Sequence, residues 1–491
     1  MNHLPVNPPN DTQNAAQRPL ARRSRAAVWH PCTQMHSLDR VPPLPIARAQ
    51  GAWLYDDQGQ AYADLISSWW VNLFGHADAG ISEAISRQLQ TLPHVMLAGC
   101  THEPAVALAE RLAQTTGGAL GHCFFASDGA SAVEIALKLS VHYWRNRGHS
   151  GKDRFVCLQG SYHGETLGAL GVTDVPVFRE AYGPLLRPAL VAPSPDARHA
   201  QPGESARDVA LRAAQGLAEL LEAHRGEIAA LILEPMVQCA GGMAMYDAEY
   251  LRQARALCDA HEVHLIADEI AVGCGRTGHI WAWQHSHEGH HKGYHEDEGD
   301  EPDRWPDFLC VSKGITGGFL PLSLVLCTDT VYQGFWHEEV ARGFLHSHSY
   351  TGNALACAAA LAVLDRLQSG AMRALWPQQA QWLEMLMQPA LTDPRWAAHV
   401  RHPRQIGTIA AFDLDAAVLP ARFAERLHLA GRRHGLLLRP IGGTVYAMPP
   451  LVLSEDLARF AGQGLVNCLA EVLGDTPASS GGPAAGQSAV C

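Results

Sequence analysis

Positive charge is scarce in this chain of 491 residues: 37 Lys and Arg stand against 49 Asp and Glu, a formal net charge of −12 at pH 7. A surface of that sign repels phosphate backbones and anionic lipid headgroups, which argues against nucleic acid and membranes as partners. Long apolar runs are also missing. None approaches the roughly 18 residues of a membrane span, and the Pro-, Asn-, Asp- and Gln-containing start has no apolar stretch of the kind a secretory signal carries. The expectation is a soluble, cytoplasmic protein. The twelve cysteines include no pair at two-residue spacing, which argues against a zinc ribbon or a dithiol redox centre. Cys310 and Cys327 sit in apolar runs and read as reduced packing residues. No repeat of about 20–50 residues is present, so a solenoid is excluded. Charged residues reach only 18% while apolar ones make up 47%, a balance that favours a large buried interior divided between more than one domain.

What the chain does have is an α/β rhythm. Short apolar runs at His122 to Ala126, Arg154 to Leu158, Ala229 to Leu233, Val263 to Ala267, Asp307 to Ser312 and Leu322 to Cys327 read as strands buried on both faces. Between them lie stretches with helical spacing: Ala132, Ala136, Leu139 and Tyr143, then Leu251, Ala254, Leu257 and Cys258. Alternation of this kind implies a mostly parallel sheet flanked by helices. After about Leu364 the texture changes to helix and then short strands near Gly407 to Phe412 and Val445 to Met448, an expected smaller α+β domain. The expected partition is a tail over 1–26, an N-terminal part of the small domain over 27–77, a large domain over 78–365, the C-terminal small domain over 366–475 and a tail over 476–491. Within the large domain, 285–304 is rich in His and acidic residues, including His285, His287, His290, His291 and His295. Imidazole and carboxylate together can bind metal, but a polar low-complexity tract more often forms a solvated insertion, and no metal ligand is assigned.

Four strand ends carry candidate chemistry. Asp307 to Val311 delivers Lys313 into the glycine-rich turn Gly314 to Gly318. Ligands of open α/β sheets bind beyond the carboxyl ends of strands, where a desolvated lysine can attack a carbonyl; a surface lysine at a strand end is the plain alternative. Val263 to Ala267 runs into Asp268 and Glu269, and a buried aspartate is what a pyridine nitrogen needs to stay protonated. An ion pair with Arg276 would explain the same carboxylate. Phe124 to Glu134 reads as strand, small-residue turn and helix start, where exposed amides at Gly129 and Ala130 suit a phosphate. An ordinary capping box of Ser131 with Glu134 fits there too. Tyr162, in Tyr162-His163-Gly164, offers a flat face for a heterocycle or for packing.

Taken in order, Ser127 to Ala130, Tyr162-His163-Gly164, Glu234-Pro235, Asp268-Glu269 with Gly273 to Gly278, Ser312-Lys313-Gly314 and Ser349 to Asn353 resemble the motifs of the fold-type I pyridoxal phosphate enzymes, class III aminotransferase branch. The resemblance spans about Trp29 to Pro450 and implies pyridoxal 5'-phosphate as cofactor, on a large domain with a seven-stranded sheet and a smaller α+β domain built from the two chain ends. It implies Lys313 as the catalytic, cofactor-linked lysine, Asp268 at the ring nitrogen, Tyr162 stacked on the ring, and the Gly129 and Ala130 amides on the phosphate. Ser349 would reach the phosphate of a partner subunit, hence a homodimer; relatives often have Thr here and Ser at position 130. Trp29 to Gln34, Ser67 to Trp70, His94 to Met96, Leu438 to Pro440 and Tyr446 to Pro450 resemble the biotin-pathway members on the substrate side. Those members imply S-adenosylmethionine as amino donor and 8-amino-7-oxononanoate as acceptor, with Arg439 on a carboxylate and Trp69 as flat apolar surface. Some members carry Tyr where this chain has Cys32, and His348 is noted without a role. Lysine as donor, another omega-aminotransferase and a non-catalytic cofactor-binding protein are the alternatives.

Overall fold

The computed structural model describes residues 19–288 and 304–474. Seven strands form the large sheet: β1 (His122–Ala126), β2 (Arg154–Leu158), β3 (Leu190–Ala192), β4 (Ile228–Leu233), β5 (His264–Asp268), β6 (Phe308–Val311) and β7 (Ser323–Cys327). Their spatial order is β1-β7-β6-β5-β4-β2-β3. Only β7 runs antiparallel to its neighbours, so the expected mostly parallel sheet is observed. Alternate residues of each strand face opposite layers, as the pleat requires. Leu231, Leu233 and Leu265 pack beneath the helices Ala206–Ala223 and Glu249–Ala260, whereas Ala230, Ile232 and Ile266 meet Gly129–Asn146 on the other side. Strands buried on both faces need apolar residues at every position, which is why the sequence shows runs there rather than alternation.

The smaller part holds a three-stranded antiparallel sheet of Val400–Ile406, Ile409–Leu414 and Thr444–Ala447, packed on the helices Gly370–Thr392, Phe423–Arg433 and Glu455–Gly474. Its core extends into the N-terminal segment. The strands Ile46–Gln50, Trp53–Asp56 and Ala61–Asp64 form a meander, and the last of them pairs in parallel with Leu436–Leu437, joining residues from both chain ends. One departure lies in the supposed tail over 1–26, where Leu20–Ala27 forms a helix tied down by an Arg25–Asp39 ion pair. That helix buries no side chain, so its polar composition still contributes nothing to a core.

No single helix among the described residues is long and apolar enough to cross a membrane; a bent pair, Ala354–Leu367 with Gly370–Thr392, passes by length and composition. Both helices of that pair are packed inside the protein, Gly370–Thr392 in the small-domain core and Ala354–Leu367 against Ile81, Leu108 and Ile315 in a further core. The described cysteines are all free, most of them buried, in line with packing residues. The tail over 476–491 and most of the His-rich tract lie outside the described residues.

Candidate active site

Because β1, β2, β4, β5 and β6 run in one direction, their carboxyl ends gather at one edge of the sheet. Just beyond those ends lie Gly129, Tyr162, Glu234, Asp268 and Lys313, and together with Trp70, Ala130, His163 and Ile270 they line a cavity of about 290 Å³. Sequence reasoning placed Lys313, Asp268, Tyr162, Gly129 and Ala130 here singly, and the structure brings them together.

Lys313 sits in a left-handed conformation, φ 47°, that lifts its side chain out of the strand direction, and its Nζ lies 4.8 Å above the centre of the Trp70 ring. Burial lowers its pKa, opposed by nearby Cys239, Asp268 and Glu234. Asp268 is buried, accepting from His163 Nδ1 at 2.7 Å and from the Ile270 amide at 3.1 Å. Arg276 is not its partner: that buried guanidinium donates to the carbonyls of Pro449 and Asn72. Glu234 accepts from the amides of Tyr162 at 3.1 Å and Cys239 at 3.0 Å, while burial pushes its carboxyl up to about 7. Tyr162 anchors its hydroxyl on Glu165 at 2.9 Å and leaves its ring on the cavity wall.

The helix Gly129–Asn146 presents its N-terminus to the cavity, but its cap differs from the capping box of Ser131 and Glu134. Asp128 is the N-cap, accepting from the Ser131 amide at 3.0 Å and its hydroxyl at 2.7 Å. Glu134 turns away to accept from the Gly168 amide at 2.7 Å and the Thr166 hydroxyl at 2.6 Å, at the start of the next helix. An aspartate one position before glycine reaches the first free amides before Ser131 can, which moves the helix start forward. Space at this N-terminus is tight. A Cβ on Gly164 would lie 2.6 Å from the Ala130 Cβ, and one on Gly129 would press Ile270 at 3.1 Å.

These features fit a flat pyridine ring bearing a phosphate. The cavity offers one amine, one buried carboxylate, an aromatic wall and a helix N-terminus, and it leaves His163 Nε2 buried without a hydrogen-bond partner.

The substrate-side residues lie apart from this cavity. Arg439 stacks at 4.4 Å over Trp69 and lines a second cavity of about 490 Å³ with His30, Cys32, Gln34 and His428. Trp70, not Trp69, faces Lys313. What sequence reasoning missed is how the two tryptophans are held: Ser67, Ser68, Trp69 and Trp70 are four consecutive left-handed residues, with φ of 50°, 47°, 73° and 69°. Buried Asp64 clamps this turn through the Ser68 amide at 2.9 Å, the Ser68 hydroxyl at 2.7 Å and His76 Nε2 at 2.9 Å. The sequence has no glycine at these positions to signal such a turn. Ser349 lies exposed in a loop outside the cofactor cavity, its carbonyl accepting from His94 Nε2 at 2.7 Å. His348 Nε2 stands 3.5 Å from the Ser127 hydroxyl.

The family profile described as aminotransferase class-III matches residues 35–469. The adenosylmethionine-8-amino-7-oxononanoate aminotransferase of Helicobacter pylori is 41% identical over 463 residues, covering 93% of this chain and 99% of that protein. The crystal structure of the enzyme of that name from Methanocaldococcus jannaschii superposes with a TM-score of 0.80 at 31% identity, over 92% of this chain and 99% of that one. An amine transaminase from an uncultivated Pseudomonas species, in its PLP-bound form, gives 0.80 and 31% over 91% and 99%.

Proposed function

This chain belongs to the class-III aminotransferase family and is a pyridoxal-phosphate-dependent transaminase, and we propose that it moves an amino group from S-adenosylmethionine to 8-amino-7-oxononanoate, giving 7,8-diaminononanoate for biotin synthesis. The observation that carries the substrates is the near full-length identity of 41% to a relative whose name states them. The chemistry is supported by Lys313, Asp268 and the helix N-terminus opening on one cavity.

When bound, pyridoxal phosphate supplies an electron sink for breaking a bond at the amine-bearing carbon. The protein's residues do the rest. The amides of Gly129 and Ala130 would bind the phosphate, Asp268 would hold a proton at the ring nitrogen, and Tyr162 would cover a ring face. His163 keeps Asp268 oriented through its 2.7 Å contact. Lys313 would hold the cofactor covalently, and its freed amine would take the proton from the substrate's amine-bearing carbon and return it one position away, as base and then acid. Its depressed pKa raises the neutral fraction that the base step needs. Donor and acceptor use one site in turn, so the kinetics are ping-pong. Arg439, steadied by Trp69, binds the substrate carboxylate and so uses remote binding energy to align the reacting carbon. We place the reaction in the cytoplasm and in a homodimer whose Ser349 reaches the partner's phosphate site. Support for the dimer comes from large exposed apolar side chains close to Ser349 in sequence: Leu345 and Tyr350 are 77% and 65% exposed.

The likeness to an amine transaminase, equal in TM-score and identity to that of the Methanocaldococcus jannaschii enzyme, favours a second reading in which the donor is a different amine. Mixing cofactor-loaded protein with one donor at a time separates the two. A change in cofactor absorbance with S-adenosylmethionine, reversed by 8-amino-7-oxononanoate, supports the first. A change with lysine or a simple amine alone moves the assignment to the second.

A further inference from the structure

Away from the cofactor cavity, on the stretch that follows β5, three side chains converge. The ligand atoms of His279, His285 and Glu288 all lie within 4.8 Å of one another. His279 Nε2 is 2.8 Å from Glu288 Oε1, and His285 Nδ1 is 3.4 Å from Glu288 Oε2. Of these, His285 and Glu288 belong to the polar tract singled out in the sequence, whereas His279 precedes it.

The protons do not balance around this cluster. The second ring nitrogen of His285, Nε2, points at the carbonyl of Thr277 at 3.2 Å. A carbonyl only accepts, so Nε2 carries the hydrogen, and in the neutral ring Nδ1 is left with a bare lone pair. That lone pair faces a carboxylate oxygen, which also only accepts. A cation between the two acceptors resolves the conflict. The Thr277 contact is also what orients a metal-bound imidazole, since such rings donate their other N–H to a backbone carbonyl or carboxylate.

We propose that His279 Nε2, His285 Nδ1 and the Glu288 carboxylate form a binding site for one divalent transition-metal ion of the zinc class. Two imidazoles and one carboxylate are ligands of that class, and a tetrahedral ion with bonds of about 2.0–2.2 Å holds its ligand atoms roughly 3.3–3.6 Å apart. The 3.4 Å between His285 Nδ1 and Glu288 Oε2 falls inside that span, and the 2.8 Å between His279 Nε2 and Glu288 Oε1 has to open by about 0.5 Å to reach it. Glu288 is exposed, so the fourth position opens to water.

The scaffold is rigid where the ligands attach. Glu269 accepts from the amides of Ala282 at 2.8 Å and Trp283 at 2.7 Å, and the Thr408 amide donates to the Arg276 carbonyl at 2.8 Å. None of the three ligands lines the cofactor cavity. The ion is therefore a staple on the stretch whose amides hold Glu269, the residue directly after Asp268, and it takes no part in the chemical step.

The test uses cofactor-loaded protein, stripped of metal with a chelator and titrated with Co²⁺ and Zn²⁺ while the cofactor absorbance is monitored for stray chelation. One Co²⁺ per chain, with the visible absorption of a four-coordinate ion and displaceable by Zn²⁺, is expected. His279→Ala and Glu288→Ala should each weaken binding by at least about tenfold and leave metal-free transamination unchanged. Glu288 is exposed, so its substitution tests the site without threatening the fold. A control carrying His290→Ala, His291→Ala and His295→Ala should bind as the parent does. Absence of saturable binding, undiminished binding in both ligand variants, or loss of binding in the control alone would overturn the proposal.

Discussion

Replacing Asp64 by alanine should be among the most damaging single changes outside the cofactor cavity. Four left-handed residues in succession, Ser67 to Trp70, carry strain of about 1–2 kcal/mol each, about 4–8 kcal/mol together. Against it stand the three bonds that the buried Asp64 carboxylate accepts from the Ser68 amide, the Ser68 hydroxyl and His76. Bonds to a charged acceptor are worth about 1.5–3 kcal/mol each, about 5–9 kcal/mol together. The two sums are of one size, so removing the carboxylate removes what holds the turn. The chain then recovers part of its strain by unwinding, which leaves a net loss of about 3–5 kcal/mol, the scale for breaking a buried charged cluster. Unwinding also carries Trp70 away from Lys313 and Trp69 away from Arg439, now 4.8 and 4.4 Å apart respectively. Misplacement on the scale of 1 Å lowers rates by about 10²-fold. Urea unfolding with steady-state kinetics checks both parts. Asp64→Asn, which keeps one acceptor oxygen for the Ser68 amide, should lose less than half as much stability. An Asp64→Ala protein within about 0.5 kcal/mol of the parent, with unchanged kinetics, would refute the reasoning.

Lys313→Ala should lower turnover by about 10²–10⁴-fold or more while the phosphate cradle still retains cofactor, measured by single-turnover assay and by absorbance after dialysis. Gly164→Ala should cost about 1–3 kcal/mol and loosen cofactor retention, because its φ is 122° and the new Cβ would lie 2.6 Å from the Ala130 Cβ. Adding Ala130→Gly should restore part of the loss; if retention in the single variant matches the parent, that contact does not set the cradle. Glu234, raised from 4.5 to about 7, keeps its proton in the folded chain over a range where the unfolded chain has released it. Stability from this group is thus full below about pH 4.5 and is lost as pH rises towards about 7, by roughly 3 kcal/mol. Unfolding of the cofactor-free protein across that range should show the decline, and Glu234→Gln should flatten it; parallel profiles would count against a buried proton.

The parts that were legible in the sequence are those in which local composition and tertiary environment impose the same demand. β4 and β6 are buried on both faces and read as unbroken apolar runs, and the rule that ligands gather at strand ends led from β5 and β6 to Asp268 and Lys313. β3 was invisible because Leu190–Ala192 is too short to stand out. Val400–Ile406 hid for another reason: only one face is sheltered, and Arg401, His402, Pro403 and Arg404 give it the texture of a loop. Pro403 is tolerable there because the strand lies at an edge of its sheet.

The features that escaped the sequence are held from a distance. The left-handed turn has no local signal, and its Ser67 hydroxyl donates to the Met448 carbonyl while Trp70 Nε1 donates to the Tyr446 hydroxyl. These partners come from the far end of the chain, as does Leu436–Leu437, which pairs with the strand that ends at Asp64. The His279, His285 and Glu288 cluster follows the same logic on a shorter scale, since the Thr277 carbonyl that fixes the His285 tautomer is not encoded by any side chain. The residues that line one cavity at the strand ends were therefore readable one by one. The left-handed turn and the outer cluster depend on backbone groups that only the folded chain brings to them.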